Sequence, residues 1–122
     1  NNQFTNGNNA IYIGGEGTNV TIKNNSFYII TGRTIDFGVG AKNIHIEENI
    51  FNVTTTALQG NNVENLTFRD NVISNASNYY ATWFTGKNIS IYGMVYFYIN
   101  VGIKHFTDPN WFLHIIPHVN SV

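Results

Sequence analysis

Apolar and polar residues alternate along this chain in short blocks. In Asn19-Val20-Thr21-Ile22-Lys23 the residues one and three places after the Asn are apolar, and those between are polar. The block returns as Asn43-Ile44-His45-Ile46-Glu47, Asn65-Leu66-Thr67-Phe68-Arg69 and Asn88-Ile89-Ser90-Ile91-Tyr92. Asn110-Trp111-Phe112-Leu113-His114 is a weaker copy, and the leading Asn residues are spaced 24, 22, 23 and 22 apart. Alternation with period two predicts a strand with one buried face, and recurrence at a near-constant spacing marks a structural repeat. The blocks are rich in Ile, Val, Thr, Phe and Tyr, and no long stripe of helical period accompanies them.

Each block continues in register. Six residues after the leading Asn come Asn25, Asn49 and Asn71, a series that lapses at Met94 and Ile116. Eight residues after it come Phe27, Phe51, Ile73 and Tyr96. One step back along the repeat, Asn2 and Phe4 fall in the same two series, so the chain is expected to start in mid-coil, as a fragment of a longer protein. A second strand precedes each leading Asn, aligned as Ile11-Tyr12-Ile13, Ile35-Asp36-Phe37, Ala57-Leu58-Gln59 and, after a one-residue deletion, Ala81-Thr82-Trp83. Gly14, Gly38 and Gly60 then follow at one register, with Gly86 in the same role in the fourth copy, and are expected at tight bends or positive φ.

A coil of 22–24 residues cannot bury its own strands. Stacking coils about 4.8 Å apart pairs every strand with its neighbours and makes one continuous core. Val20, Ile44, Leu66, Ile89 and Trp111 are then one inward column, and Ile22, Ile46, Phe68, Ile91 and Leu113 another. Asn2, Asn25, Asn49 and Asn71 form an amide ladder at a turn, where Asn tolerates the left-handed region and stacked amides hydrogen-bond along the column. The expected fold is all-β: a right-handed parallel β-helix of about five coils, regular over residues 1–96. Residues 97–122 would be a degenerate terminal coil and cap, or a subunit contact, because an open solenoid end exposes unpaired strand edges.

The motif Asn-[Val/Ile/Leu]-x-[Ile/Phe]-x-x-Asn-x-[Phe/Ile] resembles the right-handed parallel β-helix repeat of the pectate-lyase-like superfamily. The resemblance covers Asn1 to about Tyr96. It is specific for fold and weak for function, since that superfamily contains polysaccharide lyases, glycoside hydrolases, epimerases, bacteriophage tailspikes and surface adhesins. It implies an extracellular or virion-surface protein, a polysaccharide ligand and, by way of the tailspikes, a homotrimer. Family lyases cluster Asp around calcium, which makes calcium the one cofactor to look for. No lyase or hydrolase motif carries over residue by residue.

Composition sharpens this picture. Charged residues are 11%, the net charge is −1, and 21 of the 122 residues are Asn. The polar surface is built of amides and hydroxyls, with no electrostatic footprint for nucleic acid or an anionic membrane. Zero Cys excludes disulfides and thiolate metal sites. In a stacked coil each charge lies near its copy in the next rung, which disfavours ions at most positions.

Candidate chemistry falls in three places. Glu48 and Asp70 share an outward turn column with Asn24 and Gly93, on adjacent rungs. A carboxylate pair roughly 5 Å apart is what glycoside hydrolysis or cation binding would use. Lys23 and Arg69 lie beside them, in a column (Lys23, Glu47, Arg69, Tyr92, His114) whose alternating signs read as a surface ladder. Tyr28, Tyr79, Tyr80 and Trp83 lie outside the inward columns and suit stacking on the apolar face of a sugar, with packing the competing role. His114 and His118 have a helical metal-ligand spacing, but Pro117 between them argues against a helix, and no metal site is expected. A structural or carbohydrate-recognition module is therefore favoured over a hydrolase or lyase fragment working through Glu48 and Asp70.

Overall fold

Short runs of β-branched and aromatic residues, punctuated by Asn and Gly, extend the backbone and turn it at regular intervals. The computed structural model describes residues 1–14, 18–76, 80–97, 101–107 and 119–120. These form β1 (Gln3–Gly7), β2 (Ile11–Ile13), β3 (Thr18–Lys23), β4 (Ser26–Phe37), β5 (Lys42–Glu47), β6 (Ile50–Arg69), β7 (Val72–Ser74), β8 (Tyr80–Tyr92), β9 (Val95–Phe97), β10 (Val101–Thr107) and β11 (Val119–Asn120). Every strand pairing among them is parallel. The protein is a parallel β-solenoid, of which the described residues build about three turns. The five coils expected include a last one built on Trp111 and Leu113, which lie outside the described residues.

Three ladders run along the solenoid. The first stacks β1, the start of β4, the start of β6, β7, β9 and β11. The second stacks β2, the end of β4, the middle of β6, the start of β8 and β10. The third stacks β3, β5, the end of β6 and the end of β8. The long strands β4, β6 and β8 pass from one ladder to the next, and the register slips where they do so, between Ile30 and Arg33 and between Gly60 and Val63.

The core is a set of columns. Ile44, Leu66 and Ile89 stack on the third ladder, as do Ile22, Ile46, Phe68 and Ile91, all as the alternation predicted. Phe4, Phe27 and Phe51 stack on the first ladder with ring centroids 5.0 and 4.8 Å apart and planes within 13°. Phe51 meets Phe68 across the core at 6.3 Å. Fully burying a side chain of this size contributes about 1.5–3 kcal/mol, so the columns dominate stability.

The second ladder departs from the sequence alignment by one residue. Ile35 pairs with Leu58, Asp36 with Gln59 and Phe37 with Gly60, where the alignment placed Ala57, Leu58 and Gln59. The coil shortens in two steps rather than one. Partners are offset by 24 at Ile30 and Thr54, by 23 after the slip at Arg33 and Thr56, and by 22 at Lys42 and Glu64. Gly60 accordingly sits between Phe37 and Phe84 in a buried column. A Cβ there would lie 2.8 Å from two Phe37 carbons and 3.0 Å from Val63 Cγ2, so Gly60 is required for close approach. Gly14, Gly38 and Gly60 are not in the left-handed region, and Gly86 pairs with Val63, in a different column from Gly60.

The left-handed conformation belongs to other columns. Asn19, Asn43, Asn65 and Asn88 have φ of 59, 56, 56 and 56°. Asn24, Glu48, Asp70 and Gly93 have φ of 58, 58, 55 and 65°. Asn and Gly tolerate this region best, which accounts for the leading Asn of these four blocks. The ladder residues Asn25, Asn49 and Asn71 are not in it; the turn is made by the residue before each of them.

Asn25, Asn49 and Asn71 are buried and linked. The backbone N–H of Asn2, Asn25 and Asn49 each donates to the side-chain Oδ1 of the ladder Asn in the next rung, at 3.0, 2.9 and 2.9 Å. Asn49 Nδ2 donates to the Ile22 carbonyl at 2.9 Å, and Asn71 Nδ2 to that of Ile46 at 3.0 Å. Each amide thereby ties the backbone of one turn to the neighbouring rungs. The series ends at buried Met94, whose sulfur faces Asn71 Nδ2 at 3.8 Å.

Candidate functional site

The outward surface divides by ladder, and each has its own chemistry. On the third ladder Lys23, Glu47, Arg69 and Tyr92 form one outward column. Arg69 Nε lies 2.8 Å from Glu47, and Lys23 Nζ lies 3.5 Å from Glu47 and 3.4 Å from Glu48. Arg69 also reaches Asp70 at 2.6 Å. That hydrogen bond, helped by the charge of Glu47, holds the Arg69 guanidinium above its ordinary pKa and keeps it cationic. The expected alternating-sign ladder is therefore present as a continuous network. Lys42, Glu64 and Lys87 form a second column of alternating sign on this ladder.

Glu48 and Asp70 do share one outward turn column, at positions that put the backbone into the left-handed region. Their backbone N–H groups bond the carbonyls of Arg69 and Tyr92 in the following rung. Each carboxylate is engaged by its own cation, Lys23 for Glu48 and Arg69 for Asp70. The chemistry on view there is ion pairing across a turn. Among the described residues no group of three or more His, Cys, Asp or Glu side chains is placed to hold a metal ion. His114 and His118 lie outside the described residues.

On the second ladder an outward column runs through Tyr12, Asp36, Gln59 and Trp83, continued in register by Lys104. Asp36 is bridged to Arg33 at 3.2 Å. Tyr12 is the most exposed large apolar side chain described, at 66%. Only the corrected register aligns Tyr12 with Gln59 and Trp83.

On the first ladder Tyr28 stands outward, 45% exposed, in a column with Thr5, Asn52 and Ser74. Asn52 Oδ1 accepts from Ser74 Oγ at 3.1 Å and from Asn75 Nδ2 at 3.0 Å. The neighbouring column holds Ser26, Ile50, Val72 and Val95, with Ile50 half exposed.

The candidate sugar-contacting rings are thus not one cluster. Tyr28 belongs to the first ladder and Trp83 to the second, at the registers of Asn52 and Gln59 on β6. Tyr80 pairs with Val101 at the start of β8, and Tyr79 lies outside the described residues. Among the described residues no helix is long and apolar enough to cross a membrane. No protein-family model, no curated protein and no solved structure matches the chain.

Proposed function

We propose that this chain is a structural and carbohydrate-recognition module of a surface β-helix of the pectate-lyase-like type, similar to a bacteriophage tailspike or appendage, that binds cell-surface polysaccharide. The observation that supports this most is the outward display of Tyr28 among the hydroxyls and amide of Thr5, Asn52 and Ser74 on a parallel sheet, with Tyr12 exposed on the next ladder. Aromatic faces stack on the C–H face of a pyranose, and Asn, Gln, Ser and Thr bond its hydroxyls. A rigid backbone lowers the ordering cost of binding such a ligand. Extracellular or virion location and a homotrimer belong to the same reading. A binding screen against bacterial polysaccharides, repeated with Tyr12→Ala, Tyr28→Ala, Tyr79→Ala, Tyr80→Ala and Trp83→Ala, tests it. At least one ring substitution weakens binding tenfold or more; unchanged affinity in all five removes the basis for it.

A second reading, a polysaccharide hydrolase or lyase fragment, has one observation in its favour: Glu48 and Asp70 occupy adjacent rungs of one turn column. The cations on both carboxylates weigh against it.

A further inference from the structure

The ionic side chains are segregated. The third ladder and the turn that follows it carry most of them, and on the second ladder Arg33 and Asp36 neutralise one another. The first ladder carries none: the segments Gln3–Gly7, 26–30, 50–54, Val72–Ser74 and Val95–Phe97 contain no Asp, Glu, Lys, Arg or His.

That uncharged face is two-sided in its chemistry. Ile50, Val72 and Val95 form an apolar column, and Tyr28, Asn52 and Ser74 a polar one beside it. Because Asn52 Oδ1 already accepts two hydrogen bonds, the amide is oriented with its Nδ2 as the group left to donate. A pyranose has the matching division, a C–H face and an edge of hydroxyls.

Size decides which occupant fits. From Gln3 to Val95 the face spans four rung steps, about 19 Å at ~4.8 Å each, and two residues of a strand add about 7 Å of width. The patch is about 130 Å², against the ~800 Å² per partner that a stable protein interface buries. A second copy of this chain does not gain enough there, whereas a linear polymer lying along the stack uses the full length. Charge narrows the ligand further: a face with no cation gives carboxylated or sulfated sugars no partner.

We infer that the outer face of the first ladder is a track for a linear, uncharged polysaccharide running along the solenoid axis, its sugar faces on Ile50, Val72 and Val95 and its hydroxyls on Tyr28, Asn52 and Ser74. This rests on the carbohydrate-recognition reading and specifies its ligand class and path.

The experiment is titration calorimetry with neutral oligosaccharides (cello-, manno- and laminari-oligomers) and acidic ones (oligogalacturonate and oligoalginate). Sedimentation velocity is run on the same samples, and circular dichroism confirms that each variant folds. Binding of a neutral oligomer that weakens at least tenfold in Asn52→Asp and in Ile50→Lys, and is unchanged in His45→Ala on the third ladder, is the expected result. If Ile50→Lys fails to fold, Asn52→Asp with Ser74→Ala reads the same face. Binding confined to acidic oligomers, or neutral binding indifferent to Asn52→Asp and Ile50→Lys, overturns the track while leaving carbohydrate recognition standing. No binding to any oligosaccharide overturns the reading beneath it. A dimer dispersed by Ile50→Lys overturns the track in favour of self-association.

Discussion

Replacing Asn49 by Leu tests the amide ladder where it is most buried. The two side chains are close in size, so the change removes hydrogen bonds more than it removes volume. Asn25 N–H loses its acceptor at 2.9 Å and the Ile22 carbonyl loses its donor at 2.9 Å. A weaker contact to the Glu47 carbonyl at 3.1 Å goes as well. Asn71 Oδ1 keeps the Asn49 backbone N–H at 2.9 Å, so that rung survives in part. The buried Asn25 N–H left unpaired costs about 1–3 kcal/mol, and loss of the two bonds to carbonyls about 0.5–1.5 kcal/mol each. Burial of the added hydrocarbon returns roughly 1 kcal/mol. The net expectation is a loss of about 3 kcal/mol, or a Tm lower by roughly 10 °C in a domain of this size. The assay is urea unfolding followed by far-ultraviolet circular dichroism, with thermal scans alongside. Asn2→Ala serves as the comparison: Asn2 is exposed at the end of the same ladder, and its substitution removes only the Nδ2 bond to Asn25 Oδ1 at 3.3 Å, costing under about 1 kcal/mol because water replaces it. If Asn49→Leu costs no more than Asn2→Ala, the ladder is not what satisfies the turns, and the reasoning fails.

Ile29 is a β-branched residue at φ 56°, in the column where Asn6 and Asn75 have φ 57 and 55°; Ile29→Asn should raise stability by about 1 kcal/mol through relief of that strain, read by urea unfolding. Gly60→Ala should cost about 2 kcal/mol, because the new Cβ meets two side-chain carbons of buried Phe37 at 2.8 Å; an unchanged denaturation midpoint would contradict the corrected register. In a reducing-end assay on bacterial polysaccharides, Glu48→Gln with Asp70→Asn should change nothing measurable, since these carboxylates serve ion pairs; a loss of activity of a hundredfold or more would move the chemistry to that turn.

The parts of this structure that were legible in the sequence are those where one residue type fills one structural post. Buried apolar columns such as Ile22, Ile46, Phe68 and Ile91 repeat at constant offset, and period two marks their inward face. The ladder Asn residues and the alternating signs at Lys23, Glu47 and Arg69 were visible for the same reason. The second ladder was misaligned because the coil loses its two residues in two places, and no residue type marks a register slip between Ile30 and Arg33. The left-handed turn was assigned to Asn25, Asn49 and Asn71, one residue too late, because Glu48 and Asp70 hide the column from a search for Asn and Gly. The uncharged face was hidden for a third reason. Ile50 and Phe51 are both apolar, so the alternation does not say which of them faces out.

We propose that recognition happens on the uncharged outer face of the first ladder rather than at the carboxylate turn. An amide nuclear magnetic resonance titration of labelled protein with a neutral linear oligosaccharide tests this most directly. The expected shifts run along the first ladder, at Tyr28, Asn52 with its side-chain NH2, and Ser74, with the oligosaccharide recovered intact. Shifts confined to Glu48, Asp70 and their neighbours, with the oligosaccharide shortened, would contradict it.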